Sequence, residues 1–473
     1  MNKRMILLSF LFFIACGAIA QPVYFNKNYE YSGLILGYTA SVAETDSNYF
    51  TVGVANNFTD GGPHFMKLTK AGDTVFTRVF NKPIFNFAST GSSGSFRRSL
   101  FDSTFFYSGA ENTTGNYDAV LYKFNYAGDT IWTKRYGGTN SENGNCCIQT
   151  KDSGYLLTGF TDSYGSGAGD FYMVKADKFG NEQWYKTFGT AGVEAAVVGQ
   201  QTLDGGYILS GRKNNQFYFV KTDSAGNQQW DQSYANTIGV CFVKQLPDSG
   251  YILAGSQDIS GDLQGCLIRT DKDGNLIWQN NYGLPGEDSW LYSIPVVLWD
   301  GSIVCSGTYK PGNGFPDGWL LKTDALGNQM WSRTYAKSSS DIDQFYDLKR
   351  TLDNGFLMSG ATMMASQDPW LVKVDSNGCL VQNCNVGIIE FDEASSFSVY
   401  PNPAGDELYL LNLAVNENTE ILIYDVTGRL LRKLTPDFSE NQPRINIGSL
   451  PPGLLLLSME IKGRNYYSKV VKD

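Results

Sequence analysis

Near-copies of one ten-residue stretch, KTDSAGNQQW at 221–230, recur six more times along the chain: KLTKAGDTVF (67–76), KFNYAGDTIW (123–132), KADKFGNEQW (175–184), RTDKDGNLIW (269–278), KTDALGNQMW (322–331) and KVDSNGCLVQ (373–382). Their glycines, from Gly72 to Gly378, stand 46 to 56 residues apart. A period of that length marks an architecture in which each repeat is one supersecondary unit that buries its apolar face only by stacking on a neighbour.

A second signature precedes the first within each repeat, as KDSGYLLTG (151–159), LDGGYILSG (203–211), PDSGYILAG (247–255), WDGSIVCSG (299–307) and LDNGFLMSG (352–360), with weaker forms at 45–53 and 101–109. Asp-Gly and Asp-Ser-Gly between β-rich runs predict a hairpin whose glycine supplies positive φ. The repeat at 239–282 therefore reads as strands at 240–245, 251–257, 266–271 and 276–282, with a longer loop at 256–265. Four short antiparallel strands per roughly 50 residues make one propeller blade. Seven signatures predict an all-β fold: a seven-bladed β-propeller over 21–384, a linker at 385–396, and a small C-terminal Ig-like β-sandwich over 397–473.

The recurring residues have structural reasons. In Lys-Thr-Asp-x-x-Gly-Asn the Asp accepts hydrogen bonds from the turn backbone and the Gly takes the left-handed position. The tryptophan four residues later, at Trp132, Trp184, Trp230, Trp278 and Trp331, is expected between blades. Full burial of each ring would contribute about 4–6 kcal/mol of gross transfer energy. The text VYFNKNY at 23–29 resembles the fourth-strand text QWDQSY at 229–234, so the N-terminal strand is expected to complete the last blade and remove a free edge.

Residues 1–20 carry Lys3 and Arg4, an apolar run of about ten residues, and Ala18-Ile19-Ala20 before Gln21, the pattern of a cleavable secretory signal. Cys16 offers an alternative as a lipid-modified cysteine. No later stretch is long and apolar enough for a transmembrane segment. Cleavage leaves 35 basic against 47 acidic residues, a net charge of −12, and without a basic cluster that charge argues against a nucleic-acid partner. Cys379 and Cys384 could close a small disulfide loop if a turn separates them. Cys241, Cys266 and Cys305 are expected as buried thiols in strands, and adjacent Cys146 and Cys147 as unbonded.

After 397 the text changes. Tyr400-Pro401-Asn402-Pro403, Ile423-Tyr424-Asp425 with Thr427-Gly428-Arg429, Leu450-Pro451-Pro452-Gly453 and Ser468-Lys469-Val470-Val471-Lys472 follow in order. This set closely resembles the type A C-terminal sorting domain of the type IX secretion system, with Leu454-Leu455 where that family commonly has an aromatic. The resemblance marks Pro401, Asn402, Pro403, Asp425, Gly428, Gly453 and Lys469 as motif positions. It implies the type IX machinery as a partner and export from a Gram-negative cell, followed by release or surface attachment. The repeats resemble the secreted propellers often fused to such tails. Their hairpin also resembles that of pyrroloquinoline-quinone propellers, at Asp177, Gly180 and Trp184 only, with the glycine one residue early; no cofactor follows from that.

Binding residues gather on loops over a rigid scaffold, and the loops joining strands two to three and blade to blade are long and polar here, so that face is the expected site. Ten residues before a hairpin Asp stand Glu142, Glu194 and Asp343, with Glu287 and Asp288 near the equivalent place. Converging around the channel, they would form an acidic rim suited to Ca²⁺ or a cationic ligand. Asp118, Asp170, Asp317 and Asp368, each five residues before a third-strand Lys, read as backbone-binding residues. A single histidine, His64, excludes a His-based triad or a multi-His zinc site, and no catalytic residue is assigned. The expected function is an exported binding or adhesion protein for an extracellular glycan or protein. The alternatives are a secreted carbohydrate-active enzyme using Asp/Glu at the channel mouth and a surface-layer component.

Overall fold

The structure is a computed structural model that describes residues 23–29, 36–56, 60–80, 82–83, 89–90, 93–112, 115–338, 340–363, 366–380, 398–411, 419–425, 430–436, 443–461 and 464–472. The chain divides into two compact units, Met1–Cys384 and Asn385–Asp473.

The first unit is all β, a β-propeller of repeated four-stranded antiparallel sheets taken in chain order. Glu142–Gln149, Tyr155–Thr161, Asp170–Ala176 and Glu182–Phe188 form one sheet; Glu194–Gln201 to Gln228–Tyr234 and Thr237–Gln245 to Leu276–Tyr282 form two more. In the sheets ending at Thr130–Tyr136 and Gln329–Tyr335 the inner strand is broken in two, as Ser89–Thr90 with Phe96–Arg98 and as Asp288–Leu291 with Val296–Val297. Pro295 has no N–H to give to a ladder, which fits the second break.

The ends of the repeat array meet. Phe25–Asn28 pairs antiparallel with Gln367–Val374, Phe25 opposite Lys373 and Asn28 opposite Trp370, so the N-terminal strand is the fourth strand of the last sheet. It behaves as its text indicates. Tyr29 Oη donates to the Gly72 carbonyl at 2.8 Å, as Tyr234 does to Gly274 at 2.7 Å and Tyr335 to Gly378 at 2.7 Å. Phe25 takes the tryptophan's place: a Cβ on Gly72 would meet its ring at 2.9 Å.

That contact explains why two distant parts of the signature recur together. Each tryptophan covers the hairpin glycine of the next sheet, where a Cβ on Gly180, Gly226, Gly274, Gly327 or Gly378 would run into Trp132, Trp184, Trp230, Trp278 or Trp331. The hairpin glycine is thus required twice, by the indole above it and by its φ, which is +80° at Gly226. Asp223 closes the same turn, accepting from Ala225 N at 2.9 Å and Asn227 N at 2.8 Å. The indoles stay partly exposed, so each contributes nearer about 2–3 kcal/mol than its full-burial value.

Two expectations change. In the Asp-Ser-Gly turns the positive φ falls on the middle residue, 65° at Ser153 and 70° at Ser249, and not on the glycine. Gly154 is needed instead for close approach, because a Cβ there would sit 2.3 Å from the Ala176 carbonyl oxygen. The stretch 256–265 is also no loop: Tyr251–Ile259 pairs with Asp262–Thr270 around a two-residue turn with Ser260 at φ 60° and Gly261 at 98°.

The two signatures also hold each other. The third-strand lysine reaches the hairpin Asp of its own sheet, with Lys175–Asp152 and Lys221–Asp204 at 2.8 Å, Lys373–Asp353 at 2.9 Å, and Arg269 on Asp248. His64 lies buried against the Tyr38 carbonyl, and burial lowers its pKa to about 4, which keeps it neutral. Cys146, Cys147, Cys241, Cys266 and Cys305 are free and buried. Burial raises the thiol pKa of Cys241 and Cys266 to about 12. Cys379 is disulfide-bonded; Cys384 lies outside the described residues.

The second unit packs a three-stranded sheet (Ser398–Tyr400, Glu407–Leu411, Arg444–Asn446) and a four-stranded one (Leu430–Leu434, Ile421–Tyr424, Gly453–Ile461, Arg464–Lys472) on a shared core that includes Leu408, Ile423, Ile445, Leu457 and Val470. The Pro-Asn-Pro motif ties down the last strand: Asn402 Oδ1 accepts from Val471 N at 2.9 Å, and Ala404 N donates to the Val471 carbonyl at 2.7 Å. Peptide bonds 400–401 and 402–403 are cis. Gly453 opens its strand with φ 127°, and Lys469 lies exposed on the last strand opposite Leu456. Asp425 follows Ile421–Tyr424, whereas Gly428 lies outside the described residues.

Candidate functional site

The expected acidic rim is built differently from a rim. Glu142, Glu194 and Asp343 are fully buried, and each reaches back to the loop that precedes its own inner strand. Glu142 accepts from Gly138 N at 2.8 Å, Thr161 Oγ1 at 2.6 Å and Ser163 N at 3.2 Å. Glu194 accepts from Thr190 N at 3.0 Å and Thr190 Oγ1 at 2.9 Å. Asp343 accepts from Lys337 N at 2.6 Å, and burial raises its pKa. Asp288 is half-buried, accepts from Leu263 N at 3.0 Å and lies 3.6 Å from Lys310 Nζ.

A calcium site needs six to eight oxygens free to converge. Those of Glu142, Glu194 and Asp343 instead hold three separate loops, Asp288 accepts from a strand amide, and among the described residues no group of three His, Cys, Asp or Glu could hold a metal ion. The structure does not bring the four together. Asp170 acts as expected, accepting from Ser166 N at 2.8 Å and Gly167 N at 3.2 Å. A cavity of about 340 Å³ does open on this face, lined by Arg212, Trp290 and Tyr292 among others.

A larger cavity, about 540 Å³, lies at the other end of the channel, where the inner strands finish and turn into the second strands. Sequence reasoning assigned this face only hairpin turns. A blade-to-blade belt organises it. The last inner-strand residue accepts the backbone N–H of the preceding sheet's turn: Gln149 from Leu100 at 2.7 Å, Gln201 from Lys151 at 2.9 Å, Gln245 from Leu203 at 2.8 Å and Glu44 from Leu352 at 2.8 Å. The amides of Leu100, Leu203 and Leu352 are tied to the neighbouring sheet while their side chains stay in solvent. Leu100, Phe101, Leu203, Trp299 and Leu352 are 78, 54, 60, 88 and 66% exposed. Phe179 and Leu326, on third-to-fourth-strand turns of the same face, are exposed as well.

The cavity inside this collar is basic. Arg97, Lys244 and Lys349 line it with Arg98 and Arg350, against Glu44 and Asp46. Arg97 Nε donates to the Cys147 carbonyl at 3.0 Å, and Lys349 Nζ lies 3.3 Å from Asp347. Burial, then Arg97 and Lys349, lowers the pKa of Lys244; burial also lowers that of Lys349, with Asp347 opposing. Deeper in the channel Asp347 is fully buried, accepting from Ser41 Oγ at 2.5 Å, Val42 N at 3.2 Å and Ser93 Oγ at 2.6 Å. Ser93 in turn accepts from Ile294 N at 3.1 Å, so residues from separate sheets meet across the channel.

An all-β ring of repeated sheets joined to a small export tail defines the class: an exported β-propeller protein. Residues 398–473 match the secretion system C-terminal sorting domain family, so the protein is a type IX substrate of a Gram-negative bacterium, secreted or held at the cell surface. No curated protein matches the chain. Among solved structures it is similar to the β-propeller domain of the Trilobed protease from Pyrococcus furiosus (TM-score 0.40, 8% identity, 75% of this chain and 98% of that one). It is also similar to a subtype N10 neuraminidase-like protein of A/little yellow-shouldered bat/Guatemala/060/2010 (0.38, 10%, 74% and 97%) and to a protein of unknown function from Bacteroides caccae (0.39, 10%, 61% and 94%). Among the described residues no helix is long and apolar enough to cross a membrane.

Proposed function

We propose that this protein is an exported binding platform: a seven-bladed ring that presents one face to an extracellular glycan or protein, carried out of the cell by its sorting tail. The observation that supports this reading is the collar. Exposed apolar side chains recur on equivalent turns of several sheets, around the mouth of the larger cavity. Large apolar side chains left exposed on one face of a soluble protein are candidates for a contact site, and side chains on tied-down turns lose little entropy when covered. This moves the contact face from the inter-sheet loops to the hairpin turns.

The test uses the full chain without its signal, applied to immobilised glycans and extracellular matrix proteins, with hydrolysis of the same glycans followed in parallel. Saturable binding without product is expected. Changing Leu203, Trp299 and Leu352 together to serine should weaken it at least tenfold while leaving the melting temperature within about 2 °C. Unchanged binding by the triple variant refutes the assigned face. Product formation abolished by one carboxylate substitution would establish the carbohydrate-active enzyme instead.

A further inference from the structure

We infer that Arg97, Lys244 and Lys349 form an anion-binding site in the channel, one that takes a ligand through a carboxylate or phosphate group. The first support is register. Lys244 pairs with Ile252, Lys349 with Leu357 and Arg97 with Phe106, each partner lying four residues after a hairpin Asp. The three cations therefore occupy one rung of the inner strands, on three different sheets. Ala43, Ile148, Gln200 and Val296 hold the same rung elsewhere, paired with Phe50, Leu156, Ile208 and Val304. Hairpin residues recur because the fold needs them in every sheet. Cations on only some sheets of a rung answer no repeated structural need.

The second support is partnership. Among the described residues Lys244 forms no side-chain hydrogen bond or ion pair, and Arg97 uses only its Nε, leaving its terminal nitrogens free. Lys349 shares Asp347 at 3.3 Å and Asp46 also lines the cavity, but the other nearby carboxylate oxygens are largely occupied. Asp347 already accepts from two serines and a backbone amide, and Glu44 is paired with Lys70 and with Leu352 N. Cations drawn together in a half-buried cavity repel one another more strongly than on an open surface. In a chain of net charge −10 a local excess of this kind is not inherited from composition.

The third is size. About 540 Å³ falls within the range of small-molecule sites, so the group that enters is small, even if it terminates something larger. This inference does not depend on the collar, which binding without any anion preference would leave standing.

The test is a thermal shift of the full chain in sodium phosphate, glucuronate or citrate against sodium chloride at matched ionic strength, with calorimetric titration of whichever anion acts. At least one should raise the melting temperature in a saturable way; phosphate acting alone assigns a phosphate ligand, and glucuronate or citrate acting alone a carboxylate. Lys244→Met should abolish the shift and, without anion, melt at or above the wild type, because it removes a cation that has no partner. A merely structural lysine would give a lower melting temperature and an intact shift. Should Lys244→Met fail to fold, Arg97→Gln replaces it, with at least a tenfold loss of affinity expected. The inference is overturned if no anion exceeds chloride, or if wild type and variants respond alike.

Discussion

Closing the ring with the N-terminal strand can be tested at a single side chain. Phe25 is 6% exposed, stands where five of the other sheets have a tryptophan, and lies with its centroid 6.2 Å from that of Tyr49 and against Gly72 of the first sheet. Replacing a buried Phe by Ala costs about 3–5 kcal/mol where the site cannot collapse, and a strand held between two sheets has little room to do so. With an unfolding entropy of about 2 cal/mol/K per residue over roughly 360 residues, Phe25→Ala should lower the melting temperature by about 4–7 °C. Tyr29→Phe isolates the seam's hydrogen bond, and losing it leaves the Gly72 carbonyl unsatisfied at about 1–3 kcal/mol. Tyr136→Phe removes the equivalent bond inside the ring, Tyr136 to Gly180 at 2.8 Å, and serves as the internal standard. Urea unfolding followed by tryptophan fluorescence, with calorimetry, should give Tyr29→Phe and Tyr136→Phe the same loss within about 0.5 kcal/mol. A loss below about 1 kcal/mol for Phe25→Ala, with an unchanged denaturant slope, would show that the strand does not hold the ring closed.

Four further outcomes are expected. Gly154→Ala should cost more than about 2 kcal/mol in urea unfolding, because its Cβ would collide with the Ala176 carbonyl, whereas Ser153→Gly should be neutral or stabilising by up to about 1 kcal/mol because Ser153 has positive φ; the reverse order would restore the glycine-φ reading. For Asp152, Asp204 and Asp353, burial alone would raise the pKa, but hydrogen bonds from the lysine and a threonine outweigh it and hold each below the usual carboxylate value. Their contribution is therefore complete above about pH 4 and lost as pH falls through the lowered values. Thermal melts from pH 5 to 2 should steepen in that window, and Asp204→Ala should flatten the slope by about 1 kcal/mol or less, since Asp204 is half in solvent. Glu142→Ala, which strands two backbone amides and a threonine hydroxyl, should cost about 2–4 kcal/mol in the same assay. Millimolar calcium should leave the wild-type melting temperature unchanged, and a saturable rise would return these carboxylates to a ligand role.

Turn chemistry and alternation act over a few residues, so the chain order alone announced strands, hairpins, the ring's repeated unit and the tail's motifs. Asp223 and Gly226 are legible because every bond they make is local. The N-terminal strand was legible for a different reason: its text carries the same aromatic spacing, Phe25 to Tyr29, as Trp230 to Tyr234. Locality is not enough for Glu142, Glu194 and Asp343. Their regular spacing shows that they are equivalent, but not whether equivalent oxygens face a common centre or their own loops, and buried carboxylates turn to the nearest unpaired N–H groups.

Lys244, Lys349 and Arg97 carry no signature in the chain order, being 105 to 252 residues apart on unremarkable stretches. Register decides their meeting, because a propeller brings one rung of every inner strand to the channel. The exposed leucines of the hairpin turns likewise come to one face only when the sheets are set around a ring. Local backbone chemistry determined the elements; closure of the ring decided which distant charges share a cavity, because proximity across a channel is a property of geometry and not of spacing along the chain.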